Sequence, residues 1–187
     1  VVNQYVAGSV RAEVNGTTVG LTVETDYPWD GTVKLTPKLE EATSFALHLR
    51  IPSWCDGESL LINGQAAESR IERGYRVVDR EWSPGDVVEL IMPMRAVQVL
   101  ADSRVEVNAG RAAVQRGPII YCAEQADQPV PVETIALPPG SELTAEHRED
   151  LLGAVKVLRG KGVTYDPATS AAVGLYRQMP ESTAVDL

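Results

Sequence analysis

Aromatic residues are scarce in this chain: one Phe, six Tyr and three Trp among 187 residues. A core built from it must be filled mainly with aliphatic side chains, and each tryptophan is costly to leave in water. Positive charge is short as well. Seventeen Lys and Arg face 26 Asp and Glu, a net charge of −9. That balance argues against nucleic acid as a partner, since phosphate binding needs clustered cations, and it disfavours anionic membrane surfaces in the same way. No apolar run is long enough to span a bilayer, and the first residues lack the basic-then-apolar pattern of a secretion signal. The chain opens Val1-Val2 without a methionine, as an excised piece would. The compartment is therefore left open, with a cytoplasmic setting as the default expectation.

Histidine and cysteine are rarer still, at two each. Cys55 and Cys122 are far apart and form no Cys-x-x-Cys pair, so they are read as buried free thiols rather than a disulfide. His48 falls on the polar face of a strand pattern and His147 in a charged run, so neither has a partner at metal-ligand spacing. Cys122 with Glu124 is the one local Cys/Glu pair, and it reads as a strand end near a domain boundary. There is no Gly-x-Ser-x-Gly elbow, and the glycines fall at turns rather than in a phosphate loop. Acidic residues are plentiful, yet Glu13, Glu24, Asp79 and Glu89 alternate with apolar neighbours, the pattern of a solvated strand face. No catalytic, cofactor-binding or metal-ligating residue is assigned.

What the chain does have is 44% hydrophobic residues, enough for a substantial core, distributed with period two. Val10, Ala12 and Val14 lead into Asn15-Gly16, a type I′ hairpin signal, and Val19, Leu21 and Val23 follow. Val33 and Leu35 continue after Tyr27-Pro28-Trp29-Asp30-Gly31. Phe45, Leu47, Leu49 and Ile51 form the cleanest alternation, ending at Pro52. Leu60-Leu61-Ile62 meets a second Asn-Gly turn at Asn63-Gly64. Residues 74–90 hold two strand patterns joined by Ser83-Pro84-Gly85-Asp86, read as a hairpin, and Met92, Met94, Val97 and Val99 extend the series. Tyr75, Val77, Val78 and Trp82 place large apolar groups on both faces of one strand. Arg80 would then be buried and need a partner, while Asp86 would tie the turn. Beyond residues 101–104 a second series runs through Val105, Val107, Ala112, Val114 and 119–121. Residues 144–159 fit either pattern: Leu151, Leu152, Val155 and Leu158 lie near helical spacing, yet Gly153 interrupts them and residues 154–158 also alternate as a strand.

Many short strands with turn signals roughly every 8 to 12 positions indicate an all-β chain. Two tandem antiparallel β-sandwich domains are expected, over 1–100 and 101–187. Trp29, Trp54 and Trp82 each lie beside a Pro or Gly turn, where glycan-stacking platforms are often mounted. Each is expected to plug the core, since a large amphipathic ring seals a sandwich end.

Several blocks recur in order and spacing: Val2-Asn3-Gln4-Tyr5-Val6, Tyr27-Pro28-Trp29, Arg50-Ile51-Pro52-Ser53-Trp54, Ile62-Asn63-Gly64, residues 74–86, Met92-Pro93-Met94 and Arg116-Gly117-Pro118 to Glu124. In them the chain resembles the C-terminal β-sandwich region of glycoside hydrolase family 127, the β-L-arabinofuranosidase-like family. The resemblance implies a parent with an N-terminal (α/α)6 barrel and two sandwiches. The parent's retaining chemistry would use a cysteine nucleophile at a zinc site of one Glu and three Cys, two of them adjacent. None of that site transfers here, because no adjacent Cys pair is present. The family's closing Ile-Pro-Tyr-Tyr-Ala-Trp-Ala-Asn-like strand is also missing, so the second sandwich is expected to be incomplete. The resemblance favours a strand over 151–158 for the segment that fits either pattern, and Ala154 stands where the family often has Gly.

The expected function is that of the non-catalytic accessory portion of a glycoside hydrolase. Its implied partners are the parent's catalytic barrel and, in an oligomer, further copies of itself, and no cofactor is expected in this portion. The rival readings are an independent carbohydrate-binding module and an immunoglobulin-like adhesion module.

Overall fold

Alternating apolar residues set the layers of the protein, seen in a computed structural model that describes residues 1–164 and 183–186. Two compact units result, Val1–Met94 and Arg95–Leu187. Both are built from antiparallel strands, and helical turns among the described residues are limited to three short 3-10 segments.

The first unit has two sheets. The larger runs in the order β1 (Gly8–Val14), β2 (Thr17–Thr25), β3 (Thr32–Lys38), β9 (Val88–Ile91), β5 (Ser59–Ile62), β6 (Gln65–Ala66). The smaller runs β4 (Thr43–Arg50), β8 (Tyr75–Trp82), β7 (Arg70–Glu72). Period two does the sorting: Val33, Leu35 and Pro37 of β3 are buried while Thr32, Lys34 and Lys38 are exposed. Val88 and Leu90 of β9 lie opposite Leu35 and Val33 in register, all four with no exposed surface. Leu47 and Leu49 face them from the smaller sheet, joined by Val78, Trp82, Leu60, Ile62 and Met92 in one cluster. Each such aliphatic side chain contributes about 1.5–3 kcal/mol by leaving water. Pro37 lies opposite Leu21 of β2 but beyond residues 32–35, the stretch that pairs with β9, so the β9 side needs no N–H from it.

Six strands facing three leave an overhang. β1 forms the expected Asn15-Gly16 hairpin with β2, with Val14 opposite Thr17. It sits at the far edge of the larger sheet, however, and its apolar face is uncovered: Val10 is 56% exposed.

Residues 74–90 are not a hairpin. β8 pairs with β4 and β7, and β9 pairs with β3 and β5, so the turn at 83–87 is an arch that carries the chain from one sheet to the other. Periodicity says which side of a strand is apolar but not which sheet the strand joins.

The second unit begins with β10 (Ala96–Leu100), β11 (Ala112–Arg116) and β12 (Ile119–Tyr121) in one sheet. β10 hydrogen-bonds to β11, so residues 96–100, read from the sequence as the tail of the first sandwich, pair within the second series. A second sheet centres on β15 (Val155–Thr164), which pairs with β14 (Leu143–Arg148) over its first half. Its second half pairs with β13 (Ile135–Ala136) and β16 (Thr183–Asp186). The Gln98 side chain, donating to the Pro138 carbonyl at 2.9 Å, ties β10 to the loop before β14.

Three local expectations are corrected here. The strand expected over 151–158 starts only at Val155; residues 149–154 form the turn of a hairpin, and Leu152, Gly153 and Ala154 take φ of 46°, 80° and 78°. Positive φ is the conformation a glycine would favour at Ala154. Val105 and Val107, read as a strand, flank and enter a 3-10 turn at Glu106–Asn108 and are exposed. Cys122 is exposed and Cys55 half-buried, so neither is a core thiol, though neither is in a disulfide. The expectation that the second sandwich lacks its closing strand bears partly on residues 165–182 and 187, which lie outside the described ones.

Candidate functional site

Two constructions in the first unit gather the residues that the sequence singles out. One is the arch between the sheets. Trp82 ends β8 with no exposed surface, its ring stacked on Phe45 at 5.6 Å and its indole N–H donating to the Phe45 carbonyl at 3.0 Å. Arg80 is not buried as expected. Its guanidinium lies 5.3 Å from the Trp82 ring centroid and its Nε donates to the Glu81 carbonyl at 2.9 Å, so the cation stays in contact with water while capping the indole.

Asp86 ties the arch, as expected, and does so with a partner that the sequence did not reveal. Its Oδ2 accepts from the Ser83 backbone N–H at 2.9 Å, and its Oδ1 from the Asn63 side-chain amide at 2.8 Å. Asn63 in turn accepts from the Val87 N–H at 2.9 Å, so the Asn63-Gly64 turn of one strand pair braces the crossing between sheets. The Asn63 amide first, then the Ser83 N–H, hold the Asp86 carboxyl below its ordinary value against the opposing effect of burial. Asp86→Ala is expected to cost roughly 1.5–3 kcal/mol at neutral pH, the range for bonds to a charged group. Because the folded pKa is depressed, this stabilisation is present above the unfolded value of about 3.9 and fades as pH falls through the lower folded value. Urea unfolding of both proteins checks it: the gap narrows below about pH 4, and a pH-independent gap contradicts the charge-based account.

The second construction closes the end of the sandwich where β4 stops. Tyr5 is buried and donates to the Arg50 carbonyl at 2.6 Å; its ring meets Tyr27 edge-on at 6.0 Å, and Tyr27 stacks on Trp54 at 6.5 Å. Trp29 and Trp54 are both half-buried, and Trp54 packs on the core cluster from outside. The chain's first residues are strapped along β4, with the Val2 N–H donating to His48 and the Arg50 N–H to Val2. Tyr5 and Tyr27 carried no role in the sequence reading, although both lie in blocks that mark the family resemblance.

The remaining candidates are not brought together. Cys55 has its thiol pushed up, first by burial and then by Glu58 and Asp56, away from the thiolate needed for ligation or attack. Cys122 is exposed beyond β12. His48 meets the Tyr75 ring at 6.4 Å, and His147 is an exposed residue of β14. Among the described residues no group of three or more His, Cys, Asp or Glu is placed to hold a metal ion. The zinc set implied by the family resemblance therefore does not fit these side chains.

A glycosidase acid needs a carboxyl held above its ordinary value. Among the described residues, the carboxylates held away from it, Asp86, Asp102 and Asp150, are all held low, Asp102 by Arg104 and Asp150, at about 2, by Arg148. Glu24, Glu58 and Glu146 pair with Lys34, Arg76 and Arg159. No helix among the described residues is long and apolar enough to cross a membrane.

Comparison with known proteins gives this arrangement its context. Residues 1–94 match the GH127 middle domain of β-L-arabinofuranosidase, and residues 96–175 match the glycoside hydrolase family 127 C-terminal domain. The non-reducing end β-L-arabinofuranosidase of Bifidobacterium longum subsp. longum is 39% identical over 73% of this chain and 22% of its own length. The crystal structure of a GH127 β-L-arabinofuranosidase from Geobacillus stearothermophilus T6 superposes with a TM-score of 0.89 at 37% identity, covering 99% of this chain and 30% of that one. A second GH127 β-arabinofuranosidase structure gives 0.84 at 29% identity, again over 99% of this chain and 31% of the other. The chain thus spans between a fifth and a third of the length of these relatives, and what it spans is their non-catalytic β-rich region. It belongs to glycoside hydrolase family 127, of which it carries the middle and C-terminal domains.

Proposed function

We propose that these domains serve as the accessory scaffold of a larger glycoside hydrolase acting on β-L-arabinofuranosides, with bond cleavage performed by a catalytic part outside residues 1–187. One observation carries the reading: Trp82, the Tyr27–Trp54 pair and Asp86, side chains of the kinds a sugar site uses, are committed to the fold. Trp82 is wholly inside the core, Trp54 and Tyr27 stack on each other, and Asp86 holds the arch. Zinc, on this reading, belongs to the catalytic part. Trp29, Trp54 and Trp82 are packing residues rather than glycan platforms.

Assay of the 187-residue chain with p-nitrophenyl β-L-arabinofuranoside tests the proposal, with no turnover above buffer expected. Turnover that survives purification and is lost in Cys122→Ser or Glu124→Gln would contradict it. Retention on an arabinan affinity gel that is lost in Trp54→Ala would favour a carbohydrate-binding module instead.

A further inference from the structure

We infer that Asn15-Gly16 is a site of spontaneous deamidation and backbone isomerisation, whereas the chain's other Asn-Gly pair, Asn63-Gly64, is protected by the fold. The inference goes beyond the accessory reading and stands whether or not that reading holds.

The reaction needs only water and base. The Gly16 backbone nitrogen, after losing its proton to base, bonds to the side-chain Cγ of Asn15, and the Cγ–Nδ2 bond breaks to release ammonia. Water then opens the resulting cyclic imide at either carbonyl. One opening gives aspartate. The other gives isoaspartate, with the main chain rerouted through the side-chain carbonyl, and nothing is oxidised or reduced in either. Glycine in second place favours the attack because no Cβ shields its nitrogen.

The two pairs are alike in everything except what holds them. Both asparagines have φ of 53°, and the glycines that follow have 81° and 77°, as type I′ turns require. All four residues are exposed. In such a turn the glycine nitrogen points away from the asparagine side chain, so the turn must open before attack. The cost of that opening sets the rate.

Opening costs little at Asn15. Its side chain has no hydrogen-bond partner among the described residues. It also tips the hairpin of the edge strand β1, in which six of seven residues are exposed. Asn63 is held on every side: Nδ2 donates to Asp86 at 2.8 Å, Oδ1 accepts from the Val87 N–H at 2.9 Å, and the backbone N–H donates to the Val87 carbonyl at 2.9 Å. The nitrogen that must leave as ammonia is thus bound to a carboxylate. The carbon under attack cannot swing toward Gly64 until those bonds break. Two side-chain bonds, one of them to a charged group, slow the reaction at Asn63 by roughly tenfold or more.

Incubation of the 187-residue chain at mildly alkaline pH, folded and in urea, tests the inference. Isoaspartate is quantified at each position by peptide mass spectrometry and by an isoaspartate-specific methyltransferase. In the folded protein position 15 is expected to convert roughly tenfold or more faster than position 63, and in urea the two rates should converge. Asp86→Ala should speed conversion at position 63 several-fold and leave position 15 unchanged. Equal rates in the folded protein, or faster conversion at position 63, overturn the inference. So does a folded protein in which position 15 stays intact while the urea-treated one converts, or a folded Asp86→Ala variant with position 63 as slow as before. The comparison of folded with urea-treated protein needs no variant, so it decides the matter even if Asp86→Ala fails to fold.

Discussion

Trp82→Ala is expected to destabilise the first unit by about 3–5 kcal/mol, the range for truncating a large core aromatic. The residue has no exposed surface, so nothing of the indole is already solvated to soften the loss. Removing it leaves three neighbours without their contacts at once: the Phe45 ring, the Phe45 carbonyl that accepts from the indole, and the guanidinium of Arg80. The cavity opens where the smaller sheet hands the chain to the larger one, beside the Asp86 arch, so collapse to fill it would pull on both sheets. For a unit of this size each kcal/mol moves the melting temperature by roughly 4–8 °C. Calorimetry should therefore show a fall well beyond 10 °C, on the order of several such steps. An unchanged melting temperature together with lost arabinan retention would mean that the ring serves a ligand and not the core.

Gly31→Ala should be comparably severe for a different reason. A Cβ at that position would fall inside the contact distance of the Met92 carbonyl oxygen and 2.9 Å from its carbonyl carbon. The obstacle is backbone, and it is pinned: the Met92 N–H donates to the Gly31 carbonyl at 2.9 Å, and the next residue, Thr32, is in register with Ile91. Relief requires β3 and β9 to separate at the end of their ladder, next to the buried Val33–Leu90 pair. Overpacking of this kind costs about 1–3 kcal/mol and the broken backbone bond about 1 more, giving roughly 2–4 kcal/mol in total. Gly64→Ala is the control. It has open space around the added carbon but a φ of 77°, so its cost should be limited to about 1–2 kcal/mol for the left-handed conformation. Urea midpoints of the two variants check the comparison, and a Gly31→Ala loss no larger than that of Gly64→Ala would show that the close approach to Met92 does not limit position 31.

The features that the sequence made legible are those written in one strand at a time. Alternation at Phe45, Leu47 and Leu49 and at Val33 and Leu35 identified the strands and their buried faces, and Asn15-Gly16 marked a true hairpin. Family blocks spread along the chain carried the identity of the region. What stayed hidden depends on pairing across distance. The Ser83-Pro84-Gly85-Asp86 turn looks the same whether its flanking strands pair with each other or leave for different sheets. The clue was the burial of neighbouring Val77 and Val78 on opposite faces, which needs cover on both sides. Asn63 read as a turn former because its bond to Asp86 spans 23 positions in the chain. Val10, Val105 and Val107 show the converse: an apolar pattern does not bury itself unless another layer covers it. The ladder of Tyr5, Tyr27 and Trp54 joins three separate blocks, and only folding brings those rings to one end of the sandwich.

On the proposed reading, these domains support catalysis carried out elsewhere in the polypeptide. Its most direct test compares the full-length protein with a version lacking residues 1–187, measuring melting temperature and hydrolysis of p-nitrophenyl β-L-arabinofuranoside in parallel. The shortened protein is expected to melt lower and to lose activity on warming, while the excised domains alone hydrolyse nothing. A shortened protein with unchanged melting temperature and full activity, or excised domains that turn the substrate over, would contradict it.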